Sequence, residues 1–360
     1  MFGLKKIQLV QFKNYDQRSF LFEERIVGIC GKNGLGKTNL LDAVYYLCFT
    51  KSYFTRSDLQ NIKLGTSGFR IEGIFSGYGK QQDVVCVVRE GLRKEFMLEG
   101  QAYEKFSAHI GRFPCVMVAP DDIIMITGGS EERRRFMDSL ISQIDSEYLL
   151  TLIEYNKILQ QRNSYLKLAA ASLHPDPRLL EVYDEQLVKT GNLIFSRRKQ
   201  YLEIIIPAVR SFYSRIASLH EPLELSYESQ LDNGSFASLL LESRDRDIYM
   251  QRTQAGIHKD NLGISLHGEP FRFIASQGQR KSLLFALKLA EFMLLKEVKG
   301  FAPILLLDDV FEKLDEVRMH NLLYWVCVEN DGQILITDTH GERIKQKLQE
   351  FQVRYQLIEL

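Results

Sequence analysis

Gly31-Lys32-Asn33-Gly34-Leu35-Gly36-Lys37-Thr38 has the residue types and spacing to bind a nucleoside triphosphate. Its glycines let the backbone fold tightly enough for successive N–H groups to surround phosphate oxygens. Lys37 can reach the β- and γ-phosphates, and the Thr38 hydroxyl can ligate Mg²⁺. A second acidic feature lies far along the chain, where Ile304-Leu305-Leu306-Leu307 runs into Asp308-Asp309. A buried strand of this kind delivers a carboxylate to its end. Asp308 is then expected to hold the Mg²⁺ shell, and Asp309 to orient or deprotonate the attacking water. Between the two, Ser276-Gln277-Gly278-Gln279 opens a long apolar-patterned helix. It offers a hydroxyl, free backbone N–H groups and a helix dipole to a γ-phosphate, although the same residues also make an ordinary helix cap.

Elements must hold these groups in place. Ile26-Val27-Gly28-Ile29-Cys30 reads as a short buried strand and residues 39–47 as a helix, so the glycine loop joins strand to helix. Strands are also expected over 7–12, 20–22, 69–75, 84–88 and 95–98, separated by turn signals such as Ser76-Gly77 and Glu99-Gly100. From 130 to 206 the pattern changes. Met137, Leu140, Ile144, Tyr148, Leu152 and Tyr155 recur at helical spacing, His174-Pro175-Asp176-Pro177 breaks the helix, and Pro207 ends a second one. Strands return at 224–227 and 263–267. Helix 281–298, strand 304–307, helix 317–327 and strand 333–336 then alternate as in a mostly parallel sheet. The expected class is α/β. An ATPase core with a mixed β-sheet is formed by 1–125 and 245–360, and 126–244 forms a compact, mainly helical arm lobe.

Composition narrows the function. The 360 residues carry zero formal net charge, so any DNA contact must come from local patches. Five scattered cysteines without a C-x-x-C pair give neither a disulfide frame nor a zinc site. No apolar run approaches membrane-spanning length and the N-terminus lacks a secretion signal, so a cytoplasmic protein without membrane contact is expected. No separate acidic or His-rich cluster suggests a metal-dependent nuclease.

In their order along the chain, the loop at Ser276–Gln279 and the paired aspartates match the signature loop and acidic strand of ABC-type ATPases, with Glu312-Lys313-Leu314-Asp315 resembling their D-loop. In that class the signature serine completes the site of a second subunit. The resemblance therefore implies that Ser276, Gly278 and Gln279 close an ATP-dependent, two-fold homodimer. It also implies a γ-phosphate sensor in Thr337-Asp338-Thr339-His340, with His340 and Asp338 as alternatives. More closely, nearly the whole chain resembles the RecF family of bacterial recombination-repair ATPases, relatives of SMC-type heads. The likeness rests on Phe12-Lys13-Asn14-Tyr15, Gly31 to Asp42-Ala43, Lys51-Ser52-Tyr53-Phe54-Thr55-Arg56 and Arg133-Arg134-Arg135-Phe136-Met137-Asp138. Gln161-Arg162-Asn163, Asp184-Glu185-Gln186-Leu187, Gly256-Ile257-His258-Lys259-Asp260 and Leu307 to Phe311 extend it. Two segments depart from the family: Ile257 and Lys259 stand for its Pro and Arg, and Glu312-Lys313 for Ser-Glu.

The family likeness implies slow, DNA-dependent ATP hydrolysis with ATP and Mg²⁺, and binding to duplex DNA and single-strand/double-strand junctions. It implies action with RecO and RecR to load the strand-exchange recombinase at gaps, with roles in replication restart and the SOS response. The basic residues suited to DNA backbone are Lys51, Arg56, Arg133, Arg134 and Arg135, with Arg197-Arg198-Lys199 as a further cluster. Each also reads as a solvated face, and Arg133–Arg135 could instead hold the arm to the ATPase core. Two rivals stand beside this reading. One is a transporter nucleotide-binding subunit, which would normally carry Glu at position 309. The other is a structural head that binds ATP and scarcely turns it over.

Overall fold

The computed structural model describes residues 1–77, 79–91, 93–171, 177–217, 221–310 and 315–360. The chain forms two compact units. The first comprises Met1–Ile123, Ser211–His220 and Ser276–Leu360, and the second Ile124–Arg210 and Glu221–Ala275. Strands and helices are numbered in chain order.

The first unit holds two sheets. β1 (Gly3–Val10), β2 (Gln17–Leu21), β4 (Gly68–Gly77), β5 (Lys80–Arg89), β6 (Glu95–Leu98) and β7 (Gln101–Ala102) form an antiparallel sheet in the order β2-β1-β4-β5-β6-β7. β3 (Ile26–Cys30), β8 (Cys115–Val118), β12 (Ile304–Leu307), β13 (Ile334–Asp338) and β14 (Gln356–Glu359) form a parallel sheet in the order β14-β3-β13-β12-β8. β3, β8 and β12 are buried at every residue, which is why they read as unbroken apolar runs. Helix α1 (Lys37–Phe49) touches β4 and β5 of one sheet and β8 and β13 of the other. It is apolar nearly all round because both of its faces are covered. The core runs continuously through it, from Leu9 and Ile71 across Leu40 and Val44 to Leu306 and Leu335. α8 (Gln277–Lys299) packs along β8, and α10 (Gly341–Glu350) along β3 and β13. α9 (Glu316–Tyr324) leads into a π-helical turn, Trp325–Glu329.

The second unit contains α2 (Ile124–Thr127), α3 (Ser130–Ile144), α4 (Ser146–Ala171), α5 (Pro177–Ala217, passing into the first unit at Ser211), α6 (Phe236–Met250) and α7 (Phe271–Ile274). Its small antiparallel sheet joins β9 (Leu223–Glu228), β10 (Asn261–Leu266) and β11 (Glu269–Pro270). A cluster of Tyr148, Tyr155, Leu187, Ile194 and Phe236 forms its core.

Three features differ from the sequence reading. The chain returns to the first unit at Ser276 and not at 245, because β10 pairs with β9 and the carboxylates of Asp247 and Asp260 serve Arg162 and Arg198 of the helices. Residues 211–217 belong to the first unit, where the Phe212 ring stands edge-on to Trp325 at 5.0 Å. Pro207 does not end its helix: α5 continues to Ala217, because Val209, Phe212, Tyr213 and Ile216 bury the face beyond it and outweigh the missing hydrogen bond. The expected break at 174–176 and the D-loop residues 312–314 lie outside the described residues. Among the described residues no helix is long and apolar enough to cross a membrane.

Candidate nucleotide-binding site

The parallel strands end on one edge of their sheet, and the residues predicted to handle phosphate collect there. β3 leads into Gly31 and β12 into Asp308, while β13, between them, ends with Asp338 opposite Cys30. Gly31, Gly34 and Gly36 have φ of 150°, 85° and 107°, a region that other residues rarely enter. A Cβ at Gly36 would lie 2.7 Å from Asn14 Nδ2 and 2.9 Å from the Tyr15 hydroxyl. Those two side chains brace the loop: Asn14 Nδ2 donates to the Leu35 carbonyl and the Tyr15 hydroxyl to the Gly36 carbonyl, each at 3.0 Å. Lys32, Asn33, Gly34 and Leu35 stay exposed. Beneath them the buried Asp42 pairs with Lys13 at 2.5 Å and accepts the Ser52 hydroxyl and the Tyr53 N–H, both at 2.7 Å. One carboxylate of α1 thus fixes both neighbouring segments, 12–15 and 51–56.

Lys37 is buried and donates to the carbonyls of Gly31 (2.7 Å) and Lys32 (3.2 Å), which hold its ammonium against the loop. The Thr38 hydroxyl lies 3.0 and 2.9 Å from the two oxygens of Asp308. Thr337, at the end of β13, donates to Asp308 Oδ1 at 2.7 Å and accepts the Asp309 N–H at 2.9 Å. Asp309 itself has φ of 52°, a left-handed conformation that Asp tolerates better than most residues. Burial pushes the Asp308 carboxyl up. Hydrogen bonds from Thr337 and Thr38 oppose that, the Asp309 charge adds to it, and Lys37 lowers it again. A hard hydroxyl and a hard carboxylate side by side, the latter strained by burial, are a donor set that suits Mg²⁺. Among the described residues there is no group of three or more His, Cys, Asp or Glu side chains able to hold a metal.

Ser276 is exposed and caps α8. Its Oγ accepts the Gln279 N–H at 3.2 Å while the Gln279 side chain accepts the Ser276 N–H at 2.7 Å, a reciprocal capping box. Because Oγ acts there as an acceptor, its own proton is free to be donated outward. A Cβ at Gly278 would lie 2.1 Å from a guanidinium nitrogen of Arg318, which follows the expected D-loop and is paired with Asp315 at 3.3 Å. Among the described residues Ser276 makes no hydrogen bond to Gly31–Thr38. His340 is exposed at the start of α10, its Nδ1 2.8 Å from the Thr339 hydroxyl. Asp338 is buried, accepts the His340 N–H at 2.9 Å, and stands at the strand end beside the loop.

The basic residues part company. Lys51 and Arg56 are exposed in the segment tied down by Asp42. Arg133 is half-buried, donating to Asn261 Oδ1 at 2.9 Å and to the Gly128 carbonyl at 3.1 Å. Arg134 donates to the Asp260 carbonyl at 2.6 Å, and Arg135 is exposed but paired with Glu131 and Glu132. Arg198 is withdrawn altogether, 1% exposed and 2.8 Å from both Asp138 and Asp260. Thr337 and Arg318 were not singled out from sequence. In the sequence Thr337 stands only as the first residue of the expected sensor segment, with no sign of its tie to Asp308 and Asp309.

A model of the RecF/RecN/SMC N terminal domain matches residues 3–357. The DNA replication and repair protein RecF of Flavobacterium johnsoniae is 42% identical over 357 residues, covering 99% of each chain. The chain belongs to the RecF family. Among solved structures, the recombination mediator protein RecF-ATPrS of the RecFOR pathway is similar at a TM-score of 0.87 and 30% identity, over 94% of this chain and 93% of that one. The Smc head domain of Pyrococcus furiosus shares the fold at a TM-score of 0.55 and 15% identity, over 96% and 92% of the two chains. The fold is accordingly that of an ABC-type, SMC-head-like ATPase whose core mixes one antiparallel and one parallel sheet, with a compact helical arm. Membership of the RecF family replaces the transporter subunit offered by the sequence.

Proposed function

We propose that this chain is a DNA replication and repair ATPase that binds ATP with Mg²⁺, pairs with a second copy across the nucleotide and hydrolyses it slowly on DNA. The juxtaposition of Thr38 with Asp308 at the edge that carries the phosphate loop is the observation that carries the reading. Gly31–Thr38 would cradle the phosphates, with Lys37 on the transferred group and Thr38 and Asp308 on the metal. Mg²⁺ would supply charge neutralisation between the phosphates. Asp309, held by Thr337, would orient or deprotonate the attacking water. Ser276, exposed with its proton to donate, and Gly278 would complete the partner's site. His340 or Asp338 would sense the γ-phosphate.

The relatives are a DNA replication and repair protein and a recombination mediator of the RecFOR pathway; the family resemblance extends the proposal to duplex and gapped DNA, to RecO and RecR, to recombinase loading at single-strand gaps and to the SOS response, in the cytoplasm. Lys51 and Arg56 fit DNA backbone better than Arg133 and Arg134, whose guanidinium groups are engaged inside the arm.

Light scattering with and without ATP and gapped DNA tests the assembly. Wild type should double in mass with ATP, and Lys37→Ala should stay monomeric because it no longer binds nucleotide. Asp309→Asn should bind ATP and accumulate as dimer, whereas Ser276→Arg should bind nucleotide yet stay monomeric. A Ser276→Arg protein that still dimerises would remove the composite site. DNA-stimulated phosphate release no faster than that of Lys37→Ala would leave a tether and not an ATPase.

A further inference from the structure

We propose that the segment 246–259 of the second unit binds a single nucleic-acid strand, with Arg246, Arg252 and Lys259 on its phosphates and a base stacked on Tyr249. The inference rests on the DNA-binding part of the proposed function and is independent of nucleotide hydrolysis. It gives a role to Gly256-Ile257-His258-Lys259-Asp260, a segment that the nucleotide site does not use.

The backbone of this segment is locked from inside the unit. Asp247, buried on Arg162, accepts the Gln254 N–H at 2.8 Å, and its carbonyl accepts the Arg252 N–H at 3.0 Å. Asn163 Oδ1 takes the Thr253 N–H at 2.8 Å. Gly256 has φ of 128°, and a Cβ there would lie 2.6 Å from the Phe236 ring. The His258 ring spans the Tyr155 hydroxyl at 2.8 Å and the Thr253 carbonyl at 3.1 Å, and the Lys259 N–H donates to the Gly256 carbonyl at 2.9 Å. These ties fix the loop and leave its cationic side chains unengaged.

Arg246 and Arg252 are exposed and Lys259 is half-buried. Among the described residues none of the three has an ion pair or a side-chain hydrogen bond, although Glu242 and Asp245 share α6 with Arg246. Burial pushes the Lys259 ammonium down, and the charges of Arg252, Arg134 and Arg246 push it further, so the cations stand close enough to repel one another. Asp247 opposes them, but its two oxygens already serve Arg162 and the Gln254 N–H. Like charges held together on a fixed loop are relieved when a polyanion arrives.

Tyr249 selects a single strand. It is 85% exposed, in the last turn of α6 and three residues after Arg246, so ring and guanidinium share one side of the helix. An open aromatic face stacks an unpaired base while cations beside it hold the backbone. In a duplex the bases are already stacked on one another, and an acidic protein segment needs no such ring.

Fluorescence anisotropy of a labelled oligothymidylate of about twenty nucleotides, longer than common single-strand footprints, tests the site on the full chain in the presence of ATP. Arg246→Ala/Arg252→Ala should weaken binding roughly tenfold or more and lower the slope of log affinity against log salt by about 1.4, two phosphates at about 0.7 each. Tyr249→Ala should weaken it roughly fivefold to a hundredfold with the slope unchanged, while Tyr249→Phe, which keeps the ring, should bind as wild type does. A hairpin duplex should be indifferent to Tyr249→Ala. All three proteins should keep the wild-type urea midpoint, since the altered side chains are exposed. Wild-type affinity in the arginine double variant would overturn the proposal, and so would a Tyr249→Ala protein that holds the single strand as tightly as wild type. Competition by a poly-glutamate peptide as strong as by unlabelled oligothymidylate would overturn it too, giving the cations to an acidic protein segment. Wild type that binds neither oligonucleotide would remove the DNA-binding reading itself, and this site with it.

Discussion

Thr337 ties the two acidic residues together through one hydroxyl, donating to Asp308 and accepting from the Asp309 amide. Valine has the same shape and makes neither bond. Thr337→Val should lower phosphate release by roughly tenfold to a hundredfold, the usual cost of losing a group that orients a metal-site ligand. Nucleotide affinity should move far less, because Gly31–Thr38 is untouched. Single-turnover hydrolysis against fluorescent-nucleotide binding separates the two. Gly36→Ala should behave oppositely. Its φ of 107° and the clash with Asn14 and Tyr15 should cost more than about 1 kcal/mol and abolish nucleotide binding, which calorimetry would read. The phosphate loop was legible in sequence because phosphate geometry demands glycines, a lysine and a hydroxyl at fixed spacing. Thr337 was not, since its role comes from the register that sets Ile336 beside Leu307, and one strand's sequence does not state its partner.

The helices of the second unit show what periodicity reveals and what it conceals. Apolar spacing announced α3 and α4 but could not say where the interspersed arginines point. Arg197-Arg198-Lys199 reads as one basic patch, yet Arg197 pairs with Asp145 and Glu147, Arg198 is buried on Asp138 and Asp260, and Lys199 pairs with Asp232. Asp138 and Asp260 belong to segments quoted for the family likeness, so part of that likeness records a buried ionic core. Arg162 does the same with Asp184 and Asp247, both at 2.7 Å. Removing one partner leaves buried carboxylates uncompensated. Arg198→Met should therefore cost about 3–5 kcal/mol in urea unfolding, with the loss seen in stability before any DNA is added. An unchanged midpoint would return Arg198 to the DNA-binding candidates. The boundary at Ser276 was hidden for a related reason, because β10 finds its partner β9 across the intervening α6.

Across the whole molecule, the buried His109 and the half-buried His258 make stability depend on pH. His109 lies among the rings of Phe96, Tyr103 and Phe113, with Nε2 2.7 Å from the Leu47 carbonyl. A carbonyl can only accept, so Nε2 carries a proton. Burial lowers its pKa from 6.5 to about 4, against a smaller rise from that hydrogen bond. His258, bonded to the Tyr155 hydroxyl and facing the Thr253 carbonyl, is likewise lowered by burial to about 4. Between these values the unfolded chain binds protons that the folded chain refuses. Each histidine's contribution is full above pH 6.5 and is lost as pH falls toward 4. Buried carboxyls with raised values, Asp260 and Glu291 among them, act in the opposite direction, so the total curve mixes both signs. A difference measurement isolates one site. His109→Gln keeps a donor for Leu47 and cannot titrate. Wild type should lose about 2 kcal/mol more than this variant between pH 7 and pH 5 in parallel urea titrations. Parallel curves for the two proteins over that range would mean that His109 is protonated, or open to water, in the folded state.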